Sequence, residues 1–187
     1  MKNLIFYFAI LLVINFRATA QKVDDFKLTN AQNGESVSLN DFSGTKAVAI
    51  FFMSTNCPFA EYYIERIKLF HLEYKPKGIE IILVNSYSEE SLEQVKAHAN
   101  KNRISFPYLM DRKQLLLKSL GVKKAPTAVL LKNDGGSFTK FYNGAIDNNP
   151  QVSSDVKHHY LKDNVDALLA GKAAINKSPT TMGCLIR

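Results

Sequence analysis

An unbroken run of seven apolar residues, Ala47 to Met53, constrains the fold of this chain more than any other feature. The run has the length of a β-strand, and its lack of alternating polar residues is typical of a strand that is buried on both faces. A sheet built around such a strand needs secondary structure packed on each side. The run therefore predicts the centre of an α/β fold.

A helix is expected soon after this strand. Proline is favoured in a first helical turn, and Pro58 begins a stretch whose apolar residues can share one broad face. That face is expected to contain Tyr62, Ile64, Ile67, Leu69, Phe70 and Leu72. After Gly78, the apolar stretch from Ile79 to Val84 predicts a second buried strand.

The rest of the chain continues this alternation. The patterns predict, in order, a helix that starts near Ser88 and Ser91 and runs to about Lys101, a helix at 115–120, a strand at 127–131, a turn at 133–136, a strand at 138–142 and a helix at 155–169. Asn33-Gly34 predicts an additional hairpin near the N-terminus. Together these elements predict one α/β domain over residues 21–187, with a mixed central β-sheet and an irregular tail at 172–187.

The first twenty residues have the pattern of an export signal. Lys2 supplies a positive charge, residues 4–14 are apolar, and Ala18-Thr19-Ala20 is a small-residue cleavage pattern. The apolar run is short for a membrane span, so we expect cleavage after Ala20 and no stable membrane span in the mature chain. The protein is thus predicted to reach the periplasm or the extracellular space, where a disulfide can persist.

The charge of the chain is basic but dispersed. The net charge of +7 becomes +5 once Lys2 and Arg17 are removed, because residues 1–20 contain no acid. The basic residues do not form a stripe interleaved with aromatic residues, which argues against nucleic acid as a partner. No pattern in the sequence indicates an oligomeric state.

Cys57 is the residue most suited to chemistry. It lies between the first strand and the first helix, and the chain has only one other cysteine, Cys184. The unpaired N–H groups and the dipole of a helix N-terminus favour a thiolate, so we expect the Cys57 thiol to have a pKa below its ordinary value of about 8.5. Such a cysteine serves either as a redox nucleophile or as half of a disulfide.

A second motif lies about seventy residues later. Ala125-Pro126-Thr127 opens a predicted strand, and the pair formed by Cys57 and this motif resembles the thioredoxin superfamily. The resemblance implies a cis-proline loop at Pro126 that faces the active-site cysteine. It also implies that Pro58, Ala125 and Thr127 contact the substrate, which would be a thiol or disulfide of a protein or a small molecule.

Three further motifs resemble the peroxiredoxin-like, or AhpC/TSA-type, branch of that superfamily. They are Asn56-Cys57-Pro58, Tyr142-Asn143-Gly144-Ala145-Ile146-Asp147 and Gly183-Cys184-Leu185-Ile186-Arg187. Their order and spacing cover almost all of the predicted mature chain. The resemblance implies thiol–disulfide or thiol–peroxide chemistry.

The chain departs from this pattern at several positions. Ser54 stands where the subgroup has its first cysteine, and Ala60 stands where thioredoxins have their second, so the chain has no Cys-x-x-Cys motif. Ile50 replaces a proline of peroxiredoxins, and Pro126 stands where they keep a peroxide-orienting arginine. We therefore expect peroxide reduction to be slow.

Three roles remain open for Cys184. It can resolve a mixed disulfide or sulfenic acid on Cys57, as in two-cysteine peroxiredoxins. It can form a structural disulfide with Cys57 that pins the tail. It can also remain separate from Cys57 and pair with a second copy of the chain.

Two polar residues near Cys57 are candidates for a proton relay. Glu61 lies four residues after Cys57 on the predicted helix, and Ser54 lies three residues before it. No metal site is predicted, because His158 and His159 are adjacent on the chain and point apart in a helix. No cofactor is predicted either.

Together with the resemblance to the thioredoxin superfamily, these observations predict an exported thiol–disulfide oxidoreductase of the thioredoxin-like fold, with Cys57 as nucleophile; Pro126, as the resemblance implies, would shape the partner site. Two alternatives are a non-catalytic binding module with a structural disulfide, and a thiol peroxidase. The distance between Cys57 and Cys184 bears on all three, because a disulfide requires Cα atoms within about 7 Å of each other.

Overall fold

The computed structural model describes residues 21–175 and 179–187, so the predicted export signal lies outside the described residues. The described strands are β1 (Lys27–Asn30), β2 (Ser36–Ser38), β3 (Ala47–Met53), β4 (Ile79–Asn85), β5 (Tyr108–Met110), β6 (Lys124–Ala125), β7 (Thr127–Asp134), β8 (Ser137–Gly144) and β9 (Cys184–Leu185). The described α-helices are α1 (Pro58–Tyr74), α2 (Leu92–Lys101), α3 (Leu115–Leu120) and α4 (Tyr160–Leu169). Short 3₁₀ helices cover Leu39–Phe42, Lys75–Lys77 and Ser153–Asp155.

Seven strands form one mixed sheet in the order β2-β1-β5-β4-β3-β7-β8. β3, β4 and β5 run parallel, whereas the remaining pairings are antiparallel. The predicted mixed sheet is confirmed, and β3 lies near its centre. β5 is not predictable from the sequence, because three residues are too few to show a period-two pattern.

The last helix begins later than predicted. α4 begins at Tyr160 rather than at residue 155. The backbone N–H groups of Lys157 and His158 both donate to the side chain of Asn148, at 2.8 Å. This segment is therefore held by a side chain instead of by helical hydrogen bonds.

The apolar core lies on both faces of the sheet. Along β3, alternate residues point to opposite sides, with Phe51 facing α1 and α4 and with Ile50 and Phe52 facing α3. The buried stripe of α1 follows helical spacing and contains Ala60, Tyr63, Ile64, Ile67, Phe70 and Tyr74. The broader predicted face was therefore wrong at Tyr62, Leu69 and Leu72, which are exposed.

The sheet topology also positions the site. Because β3 and β4 are parallel neighbours and Met53 pairs with Asn85, the segments that follow them emerge at the same edge of the sheet. Cys57 follows β3, and Tyr87 and Glu90 follow β4. Across residues 21–175 and 179–187, none of the helices combines the length and apolar composition that a membrane span requires.

Candidate active site around Cys57

Cys57 lies at the predicted junction between β3 and α1. Its backbone is extended (φ −98°, ψ 114°), and it is the N-cap residue of α1, with Pro58 as the first helical residue. The side chain makes no capping hydrogen bond, and the residue is only 3% exposed. The orphan N–H groups and positive dipole end of α1 are thus located at a buried sulfur.

Cys57 and Cys184 form a disulfide. The S–S distance is 2.04 Å, and the two Cα atoms are 6.0 Å apart. Cys184 is therefore paired within the chain here, which leaves the resolving and structural roles for it.

The tail is not irregular throughout, which corrects the prediction for residues 172–187. Cys184 and Leu185 form β9, which pairs antiparallel with Ala125 and Lys124 of β6. The N–H of Ile186 extends the pairing by donating to the carbonyl of Lys123 at 3.0 Å. A two-residue strand carries no readable pattern, so only the tertiary pairing reveals it.

The loop at Pro126 closes the other side of the disulfide. The Ala125–Pro126 peptide bond is cis, as the resemblance implied. The Ala125 carbonyl oxygen lies 3.4 Å from the Cys57 sulfur, a packing contact because a disulfide sulfur has no proton to donate. The structure thus brings Cys57, Cys184, Ala125 and Pro126 together.

The other two predicted contact residues are placed differently. Thr127 is buried, and its hydroxyl donates to the carbonyl of Lys124 at 2.7 Å, which closes the loop on itself. Pro58 is exposed beside Cys57. Substrate contact by either residue stays a prediction.

Tyr87 holds the tail from the opposite side. Its hydroxyl donates to the Cys184 carbonyl at 3.2 Å. Burial, together with the nearby Glu90 carboxylate, raises the pKa of Tyr87 to about 12. The hydroxyl therefore keeps the proton that it donates at neutral and moderately alkaline pH.

A buried carboxylate organises the segment that leads to Cys57. Glu90 is 2% exposed and accepts hydrogen bonds from the Ser54 hydroxyl at 2.5 Å, the Thr55 N–H at 2.9 Å and the Asn85 side-chain amide at 2.5 Å. These three donors satisfy a carboxylate that would otherwise be costly to bury. Glu90 thereby ties the loop after β4 to the loop that carries Cys57.

We predict that Glu90→Leu lowers the free energy of unfolding by on the order of 3 kcal/mol, because buried donors left without an acceptor cost about 1–3 kcal/mol each. The matched control is Glu89→Leu, since Glu89 is exposed. Urea unfolding of both variants measures the difference. Equal losses in the two variants would contradict this role for Glu90.

The two proton-relay candidates have other partners in this structure. The Ser54 hydroxyl donates to Glu90 and accepts from the Asn56 N–H at 3.1 Å. The Glu61 carboxylate bonds to His98 at 2.9 Å and Lys101 at 3.2 Å. Burial would raise the pKa of Glu61, but the hydrogen bonds from His98 and Lys101 outweigh it and hold the pKa below its ordinary value. A relay through either residue stays a prediction.

The Tyr142–Asp147 motif supports the loop beside Pro126. Asp147 accepts hydrogen bonds from the Tyr63 hydroxyl at 2.6 Å and from Arg66 at 2.8 Å, and both donors lie on α1. The Tyr142 hydroxyl donates to the Ala145 carbonyl at 2.6 Å. These bonds fix the 142–147 segment against α1, next to a small cleft that also contacts Pro126 and Thr181.

Sequence reasoning missed Tyr87, Asn85 and Glu90. The one available signal was topological, because parallel strands that end at one edge bring their following loops together. Nothing local separates Glu90 from Glu89. In the described ranges, no group of three or more His, Cys, Asp or Glu side chains is arranged to hold a metal ion.

Comparison with known proteins identifies the family. The model of the AhpC/TSA family matches residues 19–137, which is more than half of the chain. This chain belongs to the AhpC/TSA family. Its fold is thioredoxin-like, as predicted.

One curated relative of this AhpC/TSA protein is a thiol-disulfide oxidoreductase. The thiol-disulfide oxidoreductase ResA of Halalkalibacterium halodurans is 31% identical over 60% of this chain and 62% of its own length. The chain therefore spans a little less than two thirds of that curated relative.

Solved structures cover more of the chain. An uncharacterized conserved protein from Geobacillus kaustophilus has a TM-score of 0.80 and 28% identity, over 90% of both chains. Peroxidoxin BcpB from Mycobacterium tuberculosis has a TM-score of 0.58 at 17% identity, over 84% of this chain and 97% of its own, which supports the fold alone.

Proposed function

We propose that this protein is an exported thiol–disulfide oxidoreductase of the periplasm or extracellular space, whose working pair is Cys57 and Cys184. One observation carries the proposal: the only two cysteines of the chain are joined at a helix N-terminus, against the Ala125–Pro126 loop. The name of the ResA relatives supports the same chemistry.

The proposed reaction uses both sulfurs in two exchanges. In the reduced protein, the Cys57 thiolate attacks a substrate disulfide, forms a mixed disulfide and releases one substrate thiolate. The Cys184 thiolate then attacks the Cys57 sulfur, forms the Cys57–Cys184 disulfide and releases the second substrate thiolate. Two protein thiols are oxidised, one substrate disulfide is reduced, and an external dithiol restores the starting state.

The reduction potential tests this proposal. We expect a value above about −300 mV, because structural disulfides of secreted proteins fall below that value while exchanging pairs lie above it. The measurement is equilibration in defined ratios of reduced and oxidised dithiothreitol, followed by quenching with a thiol alkylating reagent and mass spectrometry.

The burial of Cys57 favours one other function. Cys57 is 3% exposed, and the Ala125 carbonyl packs against its sulfur. A disulfide buried in this way resembles a structural link in a non-catalytic binding module. A potential below about −300 mV, with no exchange of a model disulfide, would favour this function over the proposed one.

Peroxide reduction is expected to be slow. Ile50 replaces the proline of peroxiredoxins, and Pro126 replaces their arginine. Both residues are apolar, and the loss of one positioned hydrogen-bond donor commonly lowers the rate about 10²-fold. We therefore predict that the reduced protein reacts at least about tenfold more slowly with hydrogen peroxide than with an aromatic disulfide, as measured by stopped flow. Faster peroxide reduction would assign the protein to the thiol peroxidases instead.

A further inference from the structure

The described end of the tail, residues 179–187, lies along a groove, where Cys184 and Leu185 form a short strand. We call this segment the terminal segment. The groove is formed by residues 123–127 on one side and Tyr87 on the other. The terminal segment pairs with β6 through its backbone and is cross-linked to Cys57 at Cys184.

Side chains hold both ends of the terminal segment. Before the cysteine, the Thr181 backbone carbonyl accepts from the Lys124 ammonium group at 3.4 Å. The Thr181 hydroxyl donates to the Thr127 hydroxyl oxygen at 3.3 Å, because the Thr127 proton is donated to the Lys124 carbonyl. After it, Ile186 packs against the core on the α3 side of the sheet. The side chain of Gln114 donates to the carbonyl of Arg187 at 2.8 Å. Leu185, by contrast, is 57% exposed.

The position before the cysteine admits only glycine. A Cβ atom built on Gly183 would lie 2.2 Å from the Ala125 carbonyl oxygen and 2.8 Å from the Ala125 carbonyl carbon. Both atoms belong to backbone, which cannot move aside as the end of a flexible side chain can. Any other residue at this place would have to shift the paired strand or the loop.

We propose that the terminal segment occupies the site at which the partner binds. When the terminal segment leaves, the same groove receives an extended partner segment with the pattern glycine, cysteine, any residue, apolar residue. This inference rests on the proposed function. The glycine is required because the space beside Ala125 has no room for a Cβ atom. The cysteine is required for a disulfide with Cys57, and the apolar residue fills the site that Ile186 occupies in this structure. Added-strand pairing supplies the backbone hydrogen bonds.

The terminal segment and the partner segment cannot occupy the groove at the same time. The second thiol–disulfide exchange therefore also releases the partner. The Cys57 thiolate attacks the partner's cysteine sulfur, and the partner's second sulfur leaves as a thiolate. When the Cys184 thiolate attacks the Cys57 sulfur, the partner cysteine leaves as a thiolate, and the terminal segment takes its place on β6. The intramolecular segment has the advantage of its high effective concentration.

Three variants of the chain test the proposal. In Gly183→Ala/Cys184→Ser the added Cβ keeps the terminal segment out of the groove. In Gly44→Ala/Cys184→Ser the same substitution is made at a glycine with open space around it and no positive φ, so the terminal segment stays in place. Ile186→Asp/Cys184→Ser empties the groove by a second route, in case the first variant folds poorly.

The probes are labelled seven-residue peptides with the sequence of residues 181–187, carrying either glycine or alanine before the central residue. A serine version measures binding by fluorescence anisotropy. A cysteine version, bearing a thionitrobenzoate disulfide, measures attack by Cys57 through release of the coloured thiolate.

We expect the glycine peptide to bind the emptied groove at least about tenfold more tightly than the groove of the Gly44→Ala/Cys184→Ser protein, and to react at least about tenfold faster than the alanine peptide. Equal binding and equal reaction of the two peptides would overturn this inference while leaving the proposed function intact. Discrimination in binding without any reaction at Cys57 would support the docking groove and overturn the proposed function.

Discussion

Replacing Cys57 with serine is expected to reduce disulfide exchange to the rate of the buffer alone. In the proposed reaction the Cys57 thiolate is the attacking group, and a serine hydroxyl at neutral pH cannot replace it. The measurement is release of a coloured thiolate from an aromatic disulfide by the reduced protein, followed over time.

The matched variant Cys184→Ser separates the roles of the two cysteines. It retains the attacking thiol but lacks the resolving one, so the first exchange should proceed and the mixed disulfide on Cys57 should accumulate. Mass spectrometry detects this adduct. The opposite result, with activity lost in Cys184→Ser and kept in Cys57→Ser, would reverse the assignment of the nucleophile.

Reduction of the disulfide is expected to lower the free energy of unfolding by about 4–5 kcal/mol. The bond joins residues separated by 127 positions, and the chain-entropy treatment assigns a loop of this length about that amount. Guanidinium unfolding of the oxidised and reduced protein, at equal pH and salt, measures the difference.

A control shows whether the effect comes from the cross-link. The double variant Cys57→Ala/Cys184→Ala should match the reduced protein and be insensitive to reductant. A difference of less than about 1 kcal/mol between oxidised and reduced protein would show that the bond constrains the unfolded chain little.

Stability and function make different demands on this disulfide. A bond that contributes several kcal/mol to the oxidised protein must still open if Cys57 is to act. The non-covalent contacts of the terminal segment, at Tyr87, β6 and Ile186, are expected to retain part of the tail's position after reduction. Reduction is then expected to open the bond without unfolding the domain.

The glycines of the two late motifs share a steric explanation. Gly144 lies under the start of the terminal segment, where a Cβ would come within 3.0 Å of Pro179, and Gly183 lies against Ala125. Each glycine allows two backbone segments to approach closely. The Tyr142–Asp147 motif therefore lies against the start of the terminal segment, and the C-terminal motif lies against the Ala125–Pro126 loop.

Local chemistry made part of this protein predictable from its sequence. The apolar run of β3, the helix that begins at Pro58 and the turn signals of the hairpins depend on neighbouring residues, so their patterns are visible along the chain. The place of Cys57 at a helix N-terminus follows from the same local order. The cis bond at Pro126 followed from the resemblance to a family.

Features that depend on residues far apart in the chain could not be predicted from such local patterns. The broad helical face predicted at Tyr62, Leu69 and Leu72 was wrong because the width of a buried stripe depends on what packs against it, and α1 meets the sheet along a narrower line. The short strands β5 and β9 form only because partner strands are present to bind them.

By itself, then, the sequence determined the central buried strand, the fold class and the place of Cys57 at a helix N-terminus, since each follows from patterns of residues close together in the chain. The tertiary structure alone decided that Glu90 rather than Glu89 is buried behind Cys57, and that Cys184 meets Cys57 across 127 positions. The physical reason is that burial and pairing are properties of the assembled sheet edge. Two identical side chains acquire different roles there according to the backbone groups that surround them.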